Sequence, residues 1–132
     1  MNEKSVFNLK PNIAAILSYL FGPFSGMFFL ILERNNKFVR FHALQSTLLF
    51  SALIIVGWLS SVFIWFSVPI LSTLFAVILV ILHYIGVIFA WIGKIFLMIK
   101  AFRGESYKIP IIGDVAWKQV SKGEIDTVTK ES

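Results

Sequence analysis

His42, Gln45 and Ser46 stand at i, i+3 and i+4, the spacing that lines side chains along one helix face. With Arg40 and Glu33 close by, this polar face could hold an acidic headgroup or a partner protein. It could equally be a hydrogen-bonded hub that fixes the preceding loop. Metal ligation does not fit it, because no second imidazole or carboxylate stands at ligand spacing. His83 is the other histidine, set in the middle of an apolar stretch. It reads as a proton relay or ligand, or as a neutral imidazole hydrogen-bonded to Tyr19, a serine or a backbone carbonyl. A nucleophile could in principle be made by Ser60 or Ser61 with His83. Glu105 and Asp114 have no evident catalytic partner. The zinc-protease, nucleophile-elbow, Walker and dinucleotide patterns are all missing. No enzyme activity, metal or cofactor is expected.

The elements that must position these residues belong to a membrane protein. From Phe41 to Gly93 there is no Asp, Glu, Lys or Arg, while Arg34, Lys37 and Arg40 precede the run and Lys94, Lys100 and Arg103 follow it. The 132-residue chain is 58% hydrophobic and only 14% charged, against about 25% charged in soluble domains. No soluble core of this size could hide the run. The net charge of +5 flanks apolar segments and forms no separate basic face. It therefore points to orientation in the membrane and contact with anionic headgroups, and not to nucleic acid. With no cysteine, disulfides, thiolate chemistry and cysteine metal sites are excluded. The first apolar stretch is longer than a signal-peptide core and lacks a small-x-small cleavage site, so it is expected to be a span.

The expected fold is an all-α integral membrane protein of three helices over about 12–32, 42–67 and 69–102. A short segment 1–11 precedes them and a tail follows. Pro69 marks a break between the second and third helices. Residues 69–102 would reach about 51 Å as one helix, longer than a hydrocarbon core of about 30 Å. A single over-long helix is expected because no turn chemistry interrupts it. Ser72, Ala76, Leu79, His83, Gly86, Ala90, Gly93 and Leu97 also keep one register. Three spans gather Arg34, Lys37, Arg40, Lys94, Lys100, Arg103 and Lys108 on the cytoplasmic side, with the N-terminus outside and the C-terminus inside. Lys94 is expected to snorkel at that interface, beside Trp91. Residues 103–116 carry a tail motif, and 117–132 are expected to be polar and disordered.

Small residues mark the expected helix contacts: Ser18, Gly22 and Gly26 in the first span, and Gly86, Ala90 and Gly93 in the third. Pro23 should kink the first helix and free the carbonyl of Tyr19. Packing and a hinge are both open readings of that kink.

Three segments carry a family resemblance: Ala15 to Gly22 (AILSYLFG), Glu33 to Ser46 (ERNNKFVRFHALQS) and Lys100 to Ala116 (KAFRGESYKIPIIGDVA). Over about residues 12–116 the chain resembles a family of small prokaryotic membrane proteins of unknown function. That family is grouped with the chloroplast protein-import component, the Tic-twenty-like proteins. Among the resembled proteins, plastid members have four spans and are implicated in translocation, and some bacterial ones occur in magnetosome membranes. His42, Ala43, Gln45 and Ser46, and Pro110, Ile111, Gly113 and Asp114, match the recurring family residues. The two sets are expected to meet, with Ile109–Ala116 docked under Arg40–His42 and Arg40 paired with Asp114. The function expected is that of a multi-pass cell-membrane scaffold or assembly component acting through helix contacts. Its partners would be its own copies or other membrane proteins; the alternative is a subunit of an oligomeric transport channel.

Overall fold

The computed structural model describes residues 8–34, 36–69 and 72–131, with side chains through residue 122. Five helices follow in order: α1 Pro11–Leu20, α2 Pro23–Leu32, α3 Lys37–Ser67, α4 Thr73–Phe102 and α5 Ile112–Glu131. No strand occurs among the described residues. Two helices, α3 with 31 residues and α4 with 30, are long and apolar enough to cross a membrane. Their apolar middles face outward: Trp65 is 79% exposed and Phe89 70%. A soluble fold would bury such residues, so the surface itself demands an apolar solvent.

The expected single helix after Pro69 is α4, which runs unbroken from Thr73 to Phe102. It lies antiparallel to α3, and the pair is tied in mid-length where His83 Nδ1 meets Ser60 Oγ at 3.0 Å. Ser67 and Ala76 are buried near the connection. The connection, Val68 to Ser72, carries no charge.

The expected single span over 12–32 is not formed. Gly22 adopts φ +65°, ψ −133°, a backbone open to glycine and costly for other residues. Pro23 then starts α2 as its first residue, where its missing N–H costs nothing. The chain turns back on itself. α1 runs with α3: Ala14 packs by Val39 and Ala43, Ser18 bonds Ser46 and Gly22 faces Phe50. α2 returns along α3, with Gly26 on Ala43 and Thr47 and Phe29 in the cluster with Val39. Each ten-residue arm is about 15 Å long, half of a hydrocarbon core of about 30 Å. The turn therefore splits the Ser18–Gly22–Gly26 ladder between two helices, although all three residues still make close packing contacts.

The hairpin also brings the start of α1 and the end of α4 together. Asn12 Nδ2 donates to the Phe102 carbonyl at 2.9 Å, so the start of α1 sits beside the end of α4. The chain enters and leaves the bundle at one end. α4 stops there in a Schellman turn: Gly104 N–H donates to Ala101 O at 3.0 Å and Glu105 N–H to Lys100 O at 3.1 Å.

The tail differs as well. Composition suggests disorder over 117–132, yet α5 runs through Glu131; residue 132 lies outside the described residues. The reason is a short apolar face that the low overall hydropathy conceals. Ala116 and Val120, four apart, bury Phe41 completely, with Leu44 and Leu48 packed alongside.

At Gly26 an added Cβ would stand 2.5 Å from Thr47 Oγ1 and 2.8 Å from the Ala43 carbonyl. Gly26→Ala is therefore expected to destabilise the protein by about 1–3 kcal/mol through overpacking. Gly57→Ala, which meets open space, should not destabilise it. Thermal unfolding of the two variants in detergent compares them directly.

Candidate functional site

The polar face on the first turns of α3 is a closed network, not an open pocket. His42, Gln45 and Ser46 are all fully buried, as are Tyr19 and Ser18 of α1. His42 Nε2 lies 3.2 Å from the Glu105 carbonyl. A carbonyl only accepts, so Nε2 carries a proton and donates it. Nδ1 then accepts from the Tyr19 hydroxyl at 3.2 Å. That hydroxyl in turn accepts from Gln45 Nε2 at 3.1 Å. Gln45 is oriented by two backbone groups: Nε2 donates to Tyr107 O at 3.1 Å and Oε1 accepts from Ile109 N–H at 3.3 Å. Each of these polar groups has a partner whose role fits its own.

This network is a clamp on the segment after α4. It takes hold of the backbone at Glu105, Tyr107 and Ile109. Gly113 follows at a close approach, where a Cβ would lie 2.7 Å from Lys108 Cα and 2.8 Å from Gln45 Oε1. Phe41 and Trp117 complete the contact edge-on, with ring centroids 5.7 Å apart. The two motif segments expected to meet do meet, through Gln45 and Phe41. The ion pair expected between them does not form. Arg40 Nε is buried without a hydrogen-bond partner, and Asp114 makes no ion pair with it among the described residues. Backbone capture by Gln45 and His42 does the docking instead. Pro110 and Ile111 form the turn itself, where Ile111 takes φ +71°, a strained setting for a β-branched residue.

A second set of contacts satisfies the carbonyls freed by the hairpin turn. Ser46 Oγ donates to Ser18 O at 2.6 Å, and Ser25 Oγ donates to the same carbonyl at 3.0 Å. Ser25 Oγ also accepts from Phe21 N–H at 3.1 Å. Lys94 Nζ reaches Leu20 O at 3.0 Å and lies over the rings of Trp91 at 4.8 Å and Phe50 at 5.6 Å. A cation at the carboxyl end of α1 is favoured by the helix dipole. The carbonyls that these side chains capture are those of Ser18 and Leu20, the neighbours of Tyr19.

The remaining sequence candidates scatter. His83 pairs with Ser60, not with Tyr19. Ser60 Oγ also bonds Gly57 O at 3.0 Å, so the imidazole N–H is the donor in the pair and the contact reads as an interhelix tie. Ala90 is partly covered and lines a groove together with Gly86. Gly86 and Gly93 have no neighbour within 4 Å of a built Cβ, so they pack against nothing inside this chain. No group of three His, Asp or Glu gathers among the described residues. Outside the helices, hydrogen bonding from Lys100 at 2.6 Å holds the exposed Glu105 carboxyl below its usual range. Tyr19 and Lys94 were the members hardest to find from sequence. Tyr19 lies in the AILSYLFG segment, but its partner depends on the hairpin.

This fold and site define a helical protein with two membrane-length helices and an internal polar clamp. Residues 8–116 match the MamF/MmsF family, described as the magnetosome magnetite crystal formation protein family. The chain belongs to that family, a small membrane family of unknown function. It is 35% identical over 112 residues to a UPF0132 membrane protein of Archaeoglobus fulgidus, covering 85% of this chain and 97% of the relative. It is 39% identical over 113 residues to one of Methanocaldococcus jannaschii, covering 86% and 91%. These matches carry no relation to the plastid import component, so that part of the resemblance is not retained. No solved structure matches the chain.

Gln45→Ala strips partners from Ile109 N–H, Tyr107 O and the Tyr19 hydroxyl, at about 1–3 kcal/mol for each buried group left unsatisfied. It should release the tail, so that limited trypsin digestion at Arg103 and Lys108 speeds up at least severalfold. Gly113→Ala should do the same, and Asp114→Asn should leave the digestion rate unchanged.

Proposed function

We propose that this protein is a multi-pass membrane scaffold, an assembly component acting through helix contacts with its own copies or with other membrane proteins. In this reading α3 and α4 cross the cell membrane and the α1–α2 hairpin packs on their charged end, its tip level with Lys94. The uncharged Val68–Ser72 connection lies opposite the cluster of Arg34, Lys37, Arg40, Lys100, Arg103 and Lys108. By the charge rule the cluster is cytoplasmic, and with an even number of crossings both terminal segments are cytoplasmic too.

The observation that carries the reading is the closed state of the clamp. The buried groups of Tyr19, His42 and Gln45 are spent on one another and on the tail backbone. They offer no unfilled chemistry to a substrate, which supports a non-enzymatic role. What the molecule presents outward is apolar helix surface and a docked α5. The family's description, which concerns crystal formation in a membrane organelle, supports work in membrane-bound assembly.

The absence of cysteine makes single-cysteine labelling clean. Cysteines at Asn8 and Ser121 should react with an impermeant reagent from the same side, and one at Ser72 from the opposite side. Labelling of Asn8 and Ser121 from opposite sides would sink the two-crossing arrangement. For the role itself, photo-crosslinking from α3 and α4 in native membranes should capture discrete complexes with membrane proteins. Ion or solute flux in liposomes holding only the purified protein would favour a transport subunit instead.

A further inference from the structure

The hairpin is a short wedge of two ten-residue arms. It parts α3 and α4 at the charged end, and the two helices come together again only around Ser60–His83 and beyond. Past its tip a groove of about 870 Å³ remains, bounded by Leu20–Pro23, by Phe50 to Ile64 of α3 and by Leu79 to Lys94 of α4. That volume is within the range of about 300–1,000 Å³ usual for ligand sites. Its walls are apolar apart from Ser60, His83 and Lys94, so ordered water has few groups to bind there. Something apolar has to fill it.

Lys94 says what. It alone carries a charge among the lining residues. Its ammonium touches one carbonyl and two aromatic rings and makes no ion pair among the described residues. A cation in an apolar wall without a counter-anion is costly. Its depth is suitable for a headgroup. From Thr73 to Gly93 a helix rises about 30 Å, one hydrocarbon thickness, which sets Lys94, and the hairpin tip that it bonds at Leu20, at the boundary on the charged side. From Lys94 to Leu79 the groove follows α4 for about 22 Å, longer than the roughly 15 Å of a single leaflet.

We propose that the groove is a binding site for an acidic phospholipid of the charged-side leaflet, its phosphate on Lys94 and an acyl chain along Gly86 and Ala90 past the hairpin tip. The site rests on the membrane placement proposed above, which cysteine labelling tests separately.

Trp91 lines the groove and serves as the reporter. A variant retaining it as the sole tryptophan (Trp58, Trp65 and Trp117 each changed to Phe) is placed in phosphatidylcholine nanodiscs. One-tenth of the lipid is replaced by chain-brominated phosphatidylglycerol or by chain-brominated phosphatidylcholine. Quenching by the acidic lipid should exceed quenching by the neutral one roughly fivefold, the factor for one cation attracting an anionic lipid. Lys94→Gln should abolish the preference and Lys94→Arg should keep it. Gly86→Leu should lower quenching by the acidic lipid by occupying the chain's path. It keeps the test decisive if Lys94→Gln does not fold. Equal quenching by both lipids, or a preference that survives both Lys94→Gln and Gly86→Leu, would overturn the site. Loss in Lys94→Gln with full quenching in Gly86→Leu would overturn the groove as the place of the chain. Quenching by neither lipid, with disulfide formation between copies at Gly86→Cys, would give the groove to a second copy.

Discussion

A helix cannot be broken inside an apolar bundle without new donors for the carbonyls it frees. That constraint governs this protein. The turn at Phe21–Pro23 ends α1 after ten residues, and two of the carbonyls it releases are met by side chains from three helices. Ser25 of α2, Ser46 of α3 and Lys94 of α4 reach Ser18 and Leu20. The same contacts that make the break tolerable therefore hold the bundle together. They also explain why polar residues are buried in helices whose outer faces are apolar.

The clamp of Tyr19, His42 and Gln45 extends this principle to the charged end. There the chain leaves α4 through a Schellman turn and must cross the base of the bundle as irregular backbone. Gln45 answers it with both ends of its amide and His42 with its single N–H. The tyrosine hydroxyl links the two. An ion pair such as Arg40–Asp114 would have served less well, since a charge pair at a half-buried site loses much of its Coulomb gain to desolvation. Neutral hydrogen bonds to backbone place the segment in one register, and Gly113 allows the closeness that this register requires.

Much of this was legible in the chain. The uncharged run announced the apolar solvent, because charge is what a bilayer core excludes. The continuity of α4 could be read from its unbroken register. The meeting of the segments around His42–Ser46 and Ile109–Ala116 could be read from motif positions placed at one end of the bundle. Other features were hidden. Gly22–Pro23 reads equally as a kink or a reversal, since both satisfy local backbone preferences. Packing of Phe29 and Gly26 on α3 decides between them. Among the described side chains the burying face of α5 is Ala116 and Val120, too small to stand out against a polar tail.

By itself, then, the sequence determined the solvent, the helical class and the end of the molecule where charge collects, since these follow from composition and one-dimensional spacing. Only the tertiary structure decided the number of membrane-length helices, the partner of each buried polar group and the existence of a groove with a lone cation at its edge. Those depend on distances between residues far apart in the chain: Tyr19 to His42, Lys94 to Leu20, Gln45 to Ile109. No local preference encodes such distances. They are set where freed backbone groups find donors and where two long helices are held apart by a hairpin too short to fill the space between them.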